Sequence, residues 1–235
     1  MTGEPEIRTV ESPDDMAAIV TVLQHVWGTT TPIVNVELLR AFAHSGGYVA
    51  GVYDGDRPLG GSFGFLARHH GEPALHSHVT GILPGAQHSG LGRSVKLHQR
   101  DWAAARGIAW ITWTYDPIVR RNAWFNIGVL GAHVSEYVVN FYGAMSDSIN
   151  AHDESDRLVV AWPTDPDVSR PTPAGASTTV HVDTPDDIVG LRRTDPAEAL
   201  EWRRRVRTEL GGRIEAGAMV TGFTRAGQYV LEVKA

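Results

Sequence analysis

The chain of 235 residues has no cysteine, no excess of basic residues and no apolar run of membrane-spanning length. The absence of cysteine excludes disulfides, thiolate metal ligands and a cysteine nucleophile. With 21 basic and 27 acidic residues, the net charge of -6 disfavours nucleic acid and other polyanions as partners. The first residues also lack the basic and apolar regions of a signal peptide. We therefore expect a cytoplasmic protein that binds neither nucleic acid nor a membrane.

Hydrophobic residues make up 42% of the chain, which is enough for a sizeable core. In the amino-terminal part, helical and extended patterns follow one another. Ser12 followed by Pro13, and later Asn35, are N-cap signals that predict two helices. Three extended segments follow, and an Asp54-Gly55 turn joins the first two of them. We expect three successive antiparallel strands, at residues 48–54, 59–69 and 74–83.

A glycine-rich turn, "QHSGLG" at residues 87–92, separates the last of these strands from a third helix. Helical spacing predicts one buried stripe on that helix, made of Leu91, Val95, His98, Trp102 and Ala105. A strand is expected next at 109–115. Asp116 and Pro117 then predict the start of a helix over 116–130, followed by extended segments at 133–143 and 157–162.

Composition predicts where the chain divides. The region 164–177 is rich in Pro, Ser, Thr and Gly, and we interpret it as a linker between a main domain, residues 1–163, and a small α+β appendage, residues 178–235. The appendage should contain a helix over 195–210, ended by Gly211 and Gly212, and a closing hairpin. Its arginines Arg203, Arg204, Arg205 and Arg207 either clamp an anionic group or lie on a solvated face, and the apolar stripe of the helix favours the solvated face.

The glycine-rich turn has the chemistry of a phosphate cradle. Glycines at a helix start leave backbone N–H groups uncovered, and the helix dipole adds to their attraction for one anion. A dinucleotide-binding turn would need GxGxxG with a later acidic residue, and a P-loop would need GxxxxGK followed by Ser or Thr. Neither pattern is present in the sequence.

The string QHSGLG instead resembles the Q/RxxGxG/A signature of the GNAT superfamily of N-acetyltransferases, and the element order from Glu6 to Trp162 is similar to that of its fold. The segments "LHSHVTGILP", "RNAWFN", "NFYG" and "DRLVVAW" also resemble a bacterial subgroup of GNAT acyltransferases with a similar carboxy-terminal extension. The resemblance implies an α/β (α+β) fold with a mixed, mostly antiparallel sheet. That sheet would be splayed at its centre, flanked by helices and followed by the appendage.

The resemblance also implies a site for acetyl-CoA or another acyl-CoA. Gly81, Ile82 and Leu83 would pair with the pantetheine amides like an added strand. The residues that would surround or lie close to the pyrophosphate are Gln87, His88, Ser89, Gly90, Leu91, Gly92, Arg93 and Ser94. Asn122 and Asn126 fall where the family often contacts the pantetheine arm or adenylate, and simple helix-surface polarity is the alternative for both.

Two histidines precede the turn. An attacking amine must be neutral, so acyl transfer requires a proton acceptor, and histidine suits that role at neutral pH. His76 lies eleven residues before Gln87, where the histone-modifying branch of the superfamily has its catalytic Glu. We predict His76 as the base and His78 as its partner or a substrate contact; the alternative is two hydrogen-bonded residues in a cleft wall. The pair could also bind zinc, but no confirming ligand accompanies it, so we expect no metal.

Many GNAT enzymes use a tyrosine four residues before a glycine on the helix after the fifth strand, and here Ile127 occupies that slot. Tyr115, Tyr137 and Tyr142 are replacements in principle for this thiolate acid. The "NFYG" segment favours Tyr142, and core packing is the alternative for each.

The leading hypothesis is an acyl-CoA-dependent N-acyltransferase that moves an acetyl or succinyl group to the amine of a small molecule, with an amino acid as a candidate. Arg68 or Arg120 could hold a succinyl carboxylate. A non-catalytic acyl-CoA sensor or docking module and a protein or peptide N-acetyltransferase are the alternatives. The sequence leaves open whether the chain forms a homodimer.

Overall fold

The computed structural model describes residues 4–87, 90–143, 153–169, 171–172 and 175–234. The chain divides into two compact units, of which one comprises Met1–Trp113 with Pro163–Asp165 and the other Thr114–Trp162 with Pro166–Ala235. These units divide the chain at other positions than the predicted boundary near residue 163. The predicted domain, linker and appendage stay predictions.

The first unit begins with a strand, two helices and a strand meander. Its elements are β1 (Glu6–Thr9), α1 (Pro13–Trp27), α2 (Val36–His44), β2 (Tyr48–Asp54), β3 (Arg57–His69), β4 (Glu72–Ile82), a 3₁₀ turn (Pro84–Ala86), α3 (Leu91–Ala104) and β5 (Trp110–Tyr115), whose last two residues belong to the second unit. The Ser12 hydroxyl accepts the Asp15 N–H at 3.1 Å, and Asn35 Oδ1 accepts the Leu38 N–H at 2.8 Å. Both predicted N-caps are therefore confirmed.

Strands β1 to β5 are neighbours in chain order within one sheet. The pairs from β1 to β4 are antiparallel, whereas β5 runs parallel to β4. The three predicted antiparallel strands are β2, β3 and β4. A bulge opposite Phe63 and Gly64 leaves His78 as the extra residue of β4.

Strands β4 and β5 pair along only part of their length. Their register begins at Ala74 with Trp110 and stops at His76 with Thr112, whereas β4 continues, still paired with β3, to Ile82. The first residues beyond the last pair are Ser77 on β4 and Trp113 on β5. We call this point of separation the fork.

Helices α1 and α2 pack against the sheet in one core cluster. It includes Met16, Ile19 and Leu23 of α1, Leu39 of α2 and Phe63 of β3. Helix α3 contributes Leu91 and Val95 to a second cluster, as the stripe predicted. The rest of the stripe is wrong, because His98 and Trp102 are half-buried and Ala105 is exposed. Lys96, Gln99 and Ala103 are buried instead.

The second unit contains two further sets of paired strands. Strands β6 (His133–Val138) and β7 (Arg157–Pro163) are antiparallel, and β8 (Ser177–Asp183), β10 (Gln228–Lys234) and β9 (Met219–Phe223) form a small sheet in that spatial order. The helices of this unit are α4 (Arg120–Ala123), α5 (Ile188–Thr194), α6 (Pro196–Val206) and α7 (Gly212–Glu215).

Two predicted helix boundaries in this unit are wrong. The expected helix over 116–130 begins as α4 and continues as a π-helical turn, Trp124–Val129, because Asp116 is engaged by arginines and leads a turn. Asp195 caps α6, but Gly211 and Gly212 do not end the helix. Their φ angles of -61° are helical, so a π-helical turn and α7 follow directly.

A buried ion-pair cluster explains the position of Asp116. Its carboxylate accepts two hydrogen bonds from Arg203, at 2.7 and 2.9 Å, and one from Arg192 at 2.6 Å. Asp153 accepts from the same two guanidinium groups. Burial opposes ionisation of Asp116, but Arg203 and Arg192 outweigh it and lower its pKa to about 2. The prediction of a solvated face is thus wrong for Arg203, which is fully buried.

The architecture confirms the predicted fold class: a mixed, mostly antiparallel sheet flanked by helices, with a small carboxy-terminal sheet. Among the described residues, no helix combines the length and the apolar character needed to cross a membrane.

Candidate active site

The loop between β4 and α3 is held against the end of the sheet. Leu83 donates its N–H to the Leu59 carbonyl at 2.9 Å, and the Gln87 side chain donates to the Ile82 carbonyl at 2.9 Å. Gln87 therefore positions the loop through its amide group. The predicted pyrophosphate contacts His88 and Ser89 lie outside the described residues.

Gly90 provides the turn into α3. Its φ of +83° lies in the left-handed region, and among the described residues no atom beyond its chain neighbours would lie within 4 Å of a Cβ on it. The N–H groups of Arg93 and Ser94 donate to the Gly90 carbonyl at 2.9 and 3.1 Å. The preceding N–H groups, including those of Leu91 and Gly92, come before the first intrahelical bonds.

The charge around this helix start suits an anion. The first turn of α3 contains no acidic residue, and the side chains of Arg93 and Ser94 are exposed. The helix dipole places partial positive charge at the same end. Leu91 is different, because its side chain packs into the core and leaves only its backbone for the loop. The arrangement has the chemistry of a phosphate cradle.

Strand β4 beyond the fork forms the other predicted contact surface for the cofactor. Gly81 and Ile82 are buried and pair with β3, and the β4–β5 register has already ended at His76. A Cβ on Gly81 would come within 2.6 Å of the Trp27 ring and 2.9 Å of Leu23, so α1 approaches the strand closely here. The remaining edge of β4 is a template for an added extended segment.

His76 is half-buried at the fork. Its Nδ1 lies 3.1 Å from the Thr112 hydroxyl, and its ring packs on Phe65 with centroids 5.1 Å apart. When Nδ1 donates to that hydroxyl, Nε2 keeps a free lone pair. Burial, with smaller contributions from His78 and Lys96, lowers the pKa of His76 to about 4. The imidazole is therefore neutral at pH 7.

His78 lies beside His76 within an aromatic cluster. The two imidazole centroids are 6.1 Å apart, and His78 also packs against Phe63 and Phe65 at 5.5 and 5.7 Å. His78 is the more open of the two, and desolvation of the packed part of its ring lowers its pKa. The face around the histidines thus consists of neutral imidazoles and phenyl rings.

The sequence interpretation missed Lys96. Its Nζ donates to the Ser77 hydroxyl at 2.8 Å and lies 4.0 Å from the centre of the Trp113 ring. Burial lowers the pKa of Lys96 to about 7. Successive side chains of a strand alternate in direction, so Ser77 and Lys96 lie on the opposite face of β4 from His76.

The tyrosines differ in their surroundings. The hydroxyls of Tyr115 and Tyr229 are 3.3 Å apart, the Tyr137 hydroxyl donates to Asp156, and burial raises the pKa of both Tyr115 and Tyr137. Tyr142 is exposed, with its hydroxyl 3.1 Å from that of Thr114. Tyr142 is thus the most accessible of the three predicted replacements.

The remaining predicted contacts belong to the second unit or to a hairpin. Asn126 is buried, so simple surface polarity does not describe it, and Asn122 is half-buried. Arg120 donates to Thr184 and forms an ion pair with Asp186. Arg68 donates to the Gly71 carbonyl at 2.7 Å at the exposed β3–β4 hairpin. In the described part of the chain, no three His, Asp or Glu side chains form a group able to hold a metal ion.

Comparison with known proteins agrees with this geometry. Residues 2–116 match the family model of the acetyltransferase (GNAT) domain. A comparison with curated proteins finds no match.

Three solved structures show the extent of the fold similarity. The ribosomal-protein-S5-alanine acetyltransferase of Vibrio fischeri is 14% identical, with a TM-score of 0.55 over 71% of this chain and 96% of that one. The ribosomal-protein-S18-alanine N-acetyltransferase of Escherichia coli is 17% identical, with a TM-score of 0.51 over 68% and 94%. Arabidopsis thaliana Naa50, in complex with the bisubstrate analogue CoA-Ac-MVNAL, is 15% identical, with a TM-score of 0.52 over 68% and 98%.

At these identities the solved structures show the fold alone. The family model adds the acetyltransferase domain, and it covers the strand, loop and helix that form the cradle. Residues 2–116 of the chain therefore form an acetyltransferase domain of the GNAT superfamily.

Proposed function

We propose that the protein is an acyl-CoA-dependent N-acyltransferase that transfers an acetyl or succinyl group to the amine of a small molecule. The observation that supports this most strongly is the conjunction of an anion cradle at Gly90 with a strand edge that opens at the fork. An acyl-CoA has both a pyrophosphate for the cradle and an extended amide chain for the edge. Residues present in the chain therefore fit the donor.

The proposed residues have separate roles. The backbone N–H groups of Gly90, Leu91 and Gly92 would bind the pyrophosphate, and Arg93 adds positive charge. Gly81, Ile82 and Leu83 would hold the pantetheine arm. The donor supplies the activated acyl group as a thioester.

The neutral His76 suits the acceptor side of the reaction. Its Nε2 lone pair would accept the proton that the acceptor amine loses during attack, directly or through a water. A pKa of about 4 keeps the imidazole in its basic form throughout the neutral range, at the expense of proton affinity. His78 would contact the acceptor, and Tyr142 is the proposed thiolate acid.

The test is release of free CoA thiol from acetyl-CoA and from succinyl-CoA with a panel of amino acids, other small amines and short peptides. We expect release that depends on the amine and is fastest with a small molecule. Peptides as the best acceptors would favour a protein N-acetyltransferase instead. Tight CoA binding without thiol release above background would identify a non-catalytic acyl-CoA sensor, the reading that Ile127 in the usual tyrosine slot favours.

A further inference from the structure

Lysine is rare in this chain and one of its lysines is buried. The sequence has 19 arginines but only two lysines, Lys96 and Lys234. Lys234 is exposed near the carboxyl terminus, whereas Lys96 is 5% exposed within α3. A guanidinium stays protonated in proteins, but a lysine amine can lose its proton and become a nucleophile. Lys96 is therefore a buried cation that can also act as a nucleophile once its amine loses a proton.

Lys96 lies at the point where β4 and β5 separate. Its hydrogen bond to Ser77 and its contact with the Trp113 ring join it to the first residue on each strand beyond the last β4–β5 pair. The amine therefore lies behind the apex of the fork. On the proposed function, the thioester end of the donor enters this fork along the free edge of β4.

The surroundings of Lys96 leave part of it uncharged. No carboxylate forms an ion pair with it within the residues that the structure describes, and burial lowers its pKa to about 7. The face of Trp113 attracts the ammonium form. With a pKa of about 7, charged and neutral amine coexist near pH 7.

We propose that Lys96 is a self-acylation site, at which the bound acyl-CoA modifies the chain itself. The Nζ lone pair attacks the thioester carbonyl carbon, the carbon–sulfur bond breaks, and an amide forms on Lys96. CoA leaves as the thiolate, which takes up the proton lost from Nζ. The reaction needs no other reagent, and it rests on the proposed function only in requiring that acyl-CoA binds at the fork.

The low lysine content makes the test direct, because Lys96, Lys234 and the amino terminus carry the only primary amines. The full chain is incubated with acetyl-CoA without an acceptor and then analysed by intact mass and peptide mapping. We expect one acetyl group on Lys96, and no such adduct in Lys96→Arg or Lys96→Met. The rate should rise about tenfold per pH unit below pH 7 and level off above it, whereas chemical acylation of an ordinary exposed amine keeps rising through pH 9.

Two controls separate acylation by bound donor from simple chemical modification. A small acetyl thioester without the nucleotide, S-acetyl-N-acetylcysteamine, should modify Lys96 far more slowly than acetyl-CoA at equal concentration. Equal modification by both donors, or label confined to Lys234 and the amino terminus, would overturn the proposal. If calorimetry shows CoA binding and the amine panel shows turnover while Lys96 stays unmodified, self-acylation is wrong and the proposed function stands. Absence of CoA binding would instead overturn the proposed function itself.

Discussion

His76 determines, more than any other single side chain, whether the proposed chemistry is correct. Replacing it by alanine removes the proton acceptor and leaves the cradle in place. We therefore expect kcat, measured by thiol release, to fall by about 10² or more, with little change in CoA affinity measured by calorimetry. His25 is the matched control, because its ring is exposed and its Nδ1 lies within hydrogen-bond distance of the Thr21 carbonyl in its own helix. Equal rates for His76→Ala and the wild type would contradict the assignment.

Lys96 has a consequence for stability as well. Its pKa is lowered to about 7 in the folded state, whereas the amine of the unfolded chain stays protonated up to about pH 10.5. At or below pH 7, folding therefore has to bury the charged amine or remove its proton, and either costs free energy. Each unit of pKa difference costs about 1.4 kcal/mol. We expect Lys96→Met to raise the free energy of unfolding in urea at pH 7. The advantage should shrink as pH rises from 7 towards 10.5, where the unfolded amine also becomes neutral. A constant advantage across that range would contradict a pKa shift as its origin.

The difference between predictable and unpredictable residues is physical. Gly90 and the caps Ser12 and Asn35 act through local backbone geometry, which a short stretch of sequence contains. Lys96 and Arg203 are cations inside the fold, and their positions depend on partners distant in the chain, Ser77 for one and Asp116 for the other. The scarcity of lysine was the one signal that could have drawn attention to Lys96.

Among the elements, the start of α3 is the one that the proposal needs most. Gly90 and Gly107 lie before and after α3, both have positive φ, and a Cβ on either would meet no described atom within 4 Å beyond its chain neighbours. Substituting alanine at either position should therefore cost a similar backbone strain, about 1 kcal/mol. Only Gly90→Ala should weaken CoA binding, by about tenfold, or 1.4 kcal/mol, because it alters the cradle.

Calorimetric titration with CoA, alongside urea unfolding of both variants, distinguishes strain from binding. Equal CoA affinity of the two variants would show that the cradle does not hold the pyrophosphate.

Sequence patterns predicted some of the helices and strands correctly and others wrongly. The meander β2–β3–β4 was predictable because its extended segments are bounded by turn residues and an Asp54-Gly55 turn joins the first pair. The helix expected over 116–130 was not, because Asp116 reads as a cap in isolation and forms ion pairs in the fold. The stripe of α3 failed at His98, Trp102 and Ala105 because the helix buries polar groups, Lys96 and Gln99, against serines of β3 and β4.

At the scale of the whole molecule, the stability of the second unit depends on its buried ion-pair cluster. Removing one partner of a buried ion pair leaves the other charge uncompensated, which costs about 3–5 kcal/mol. We expect Arg203→Ala to destabilise the protein by that amount in urea unfolding. Arg204 is the adjacent control, since its pair with Glu201 is exposed, and Arg204→Ala should change stability by no more than about 0.5 kcal/mol. Similar losses for both variants would contradict a structural role of the cluster.

The same cluster gives a pH dependence with a defined sign. The pKa of Asp116 is lowered to about 2 in the folded state, so its contribution to stability is complete above the ordinary Asp value and is lost as pH falls towards 2. The difference in unfolding free energy between the wild type and Arg203→Ala should therefore become smaller over that acidic range.

The measurement that tests the central proposal most directly is a crystal structure with CoA bound. We expect the pyrophosphate oxygens within about 3 Å of the Gly90, Leu91 and Gly92 N–H groups, and the pantetheine arm along Gly81 to Leu83. The sulfur should lie at the fork, with His76 Nε2 facing the adjacent acceptor space directly or through one water. CoA bound away from the cradle, or a His76 ring turned from the sulfur with no water between them, would contradict the proposal.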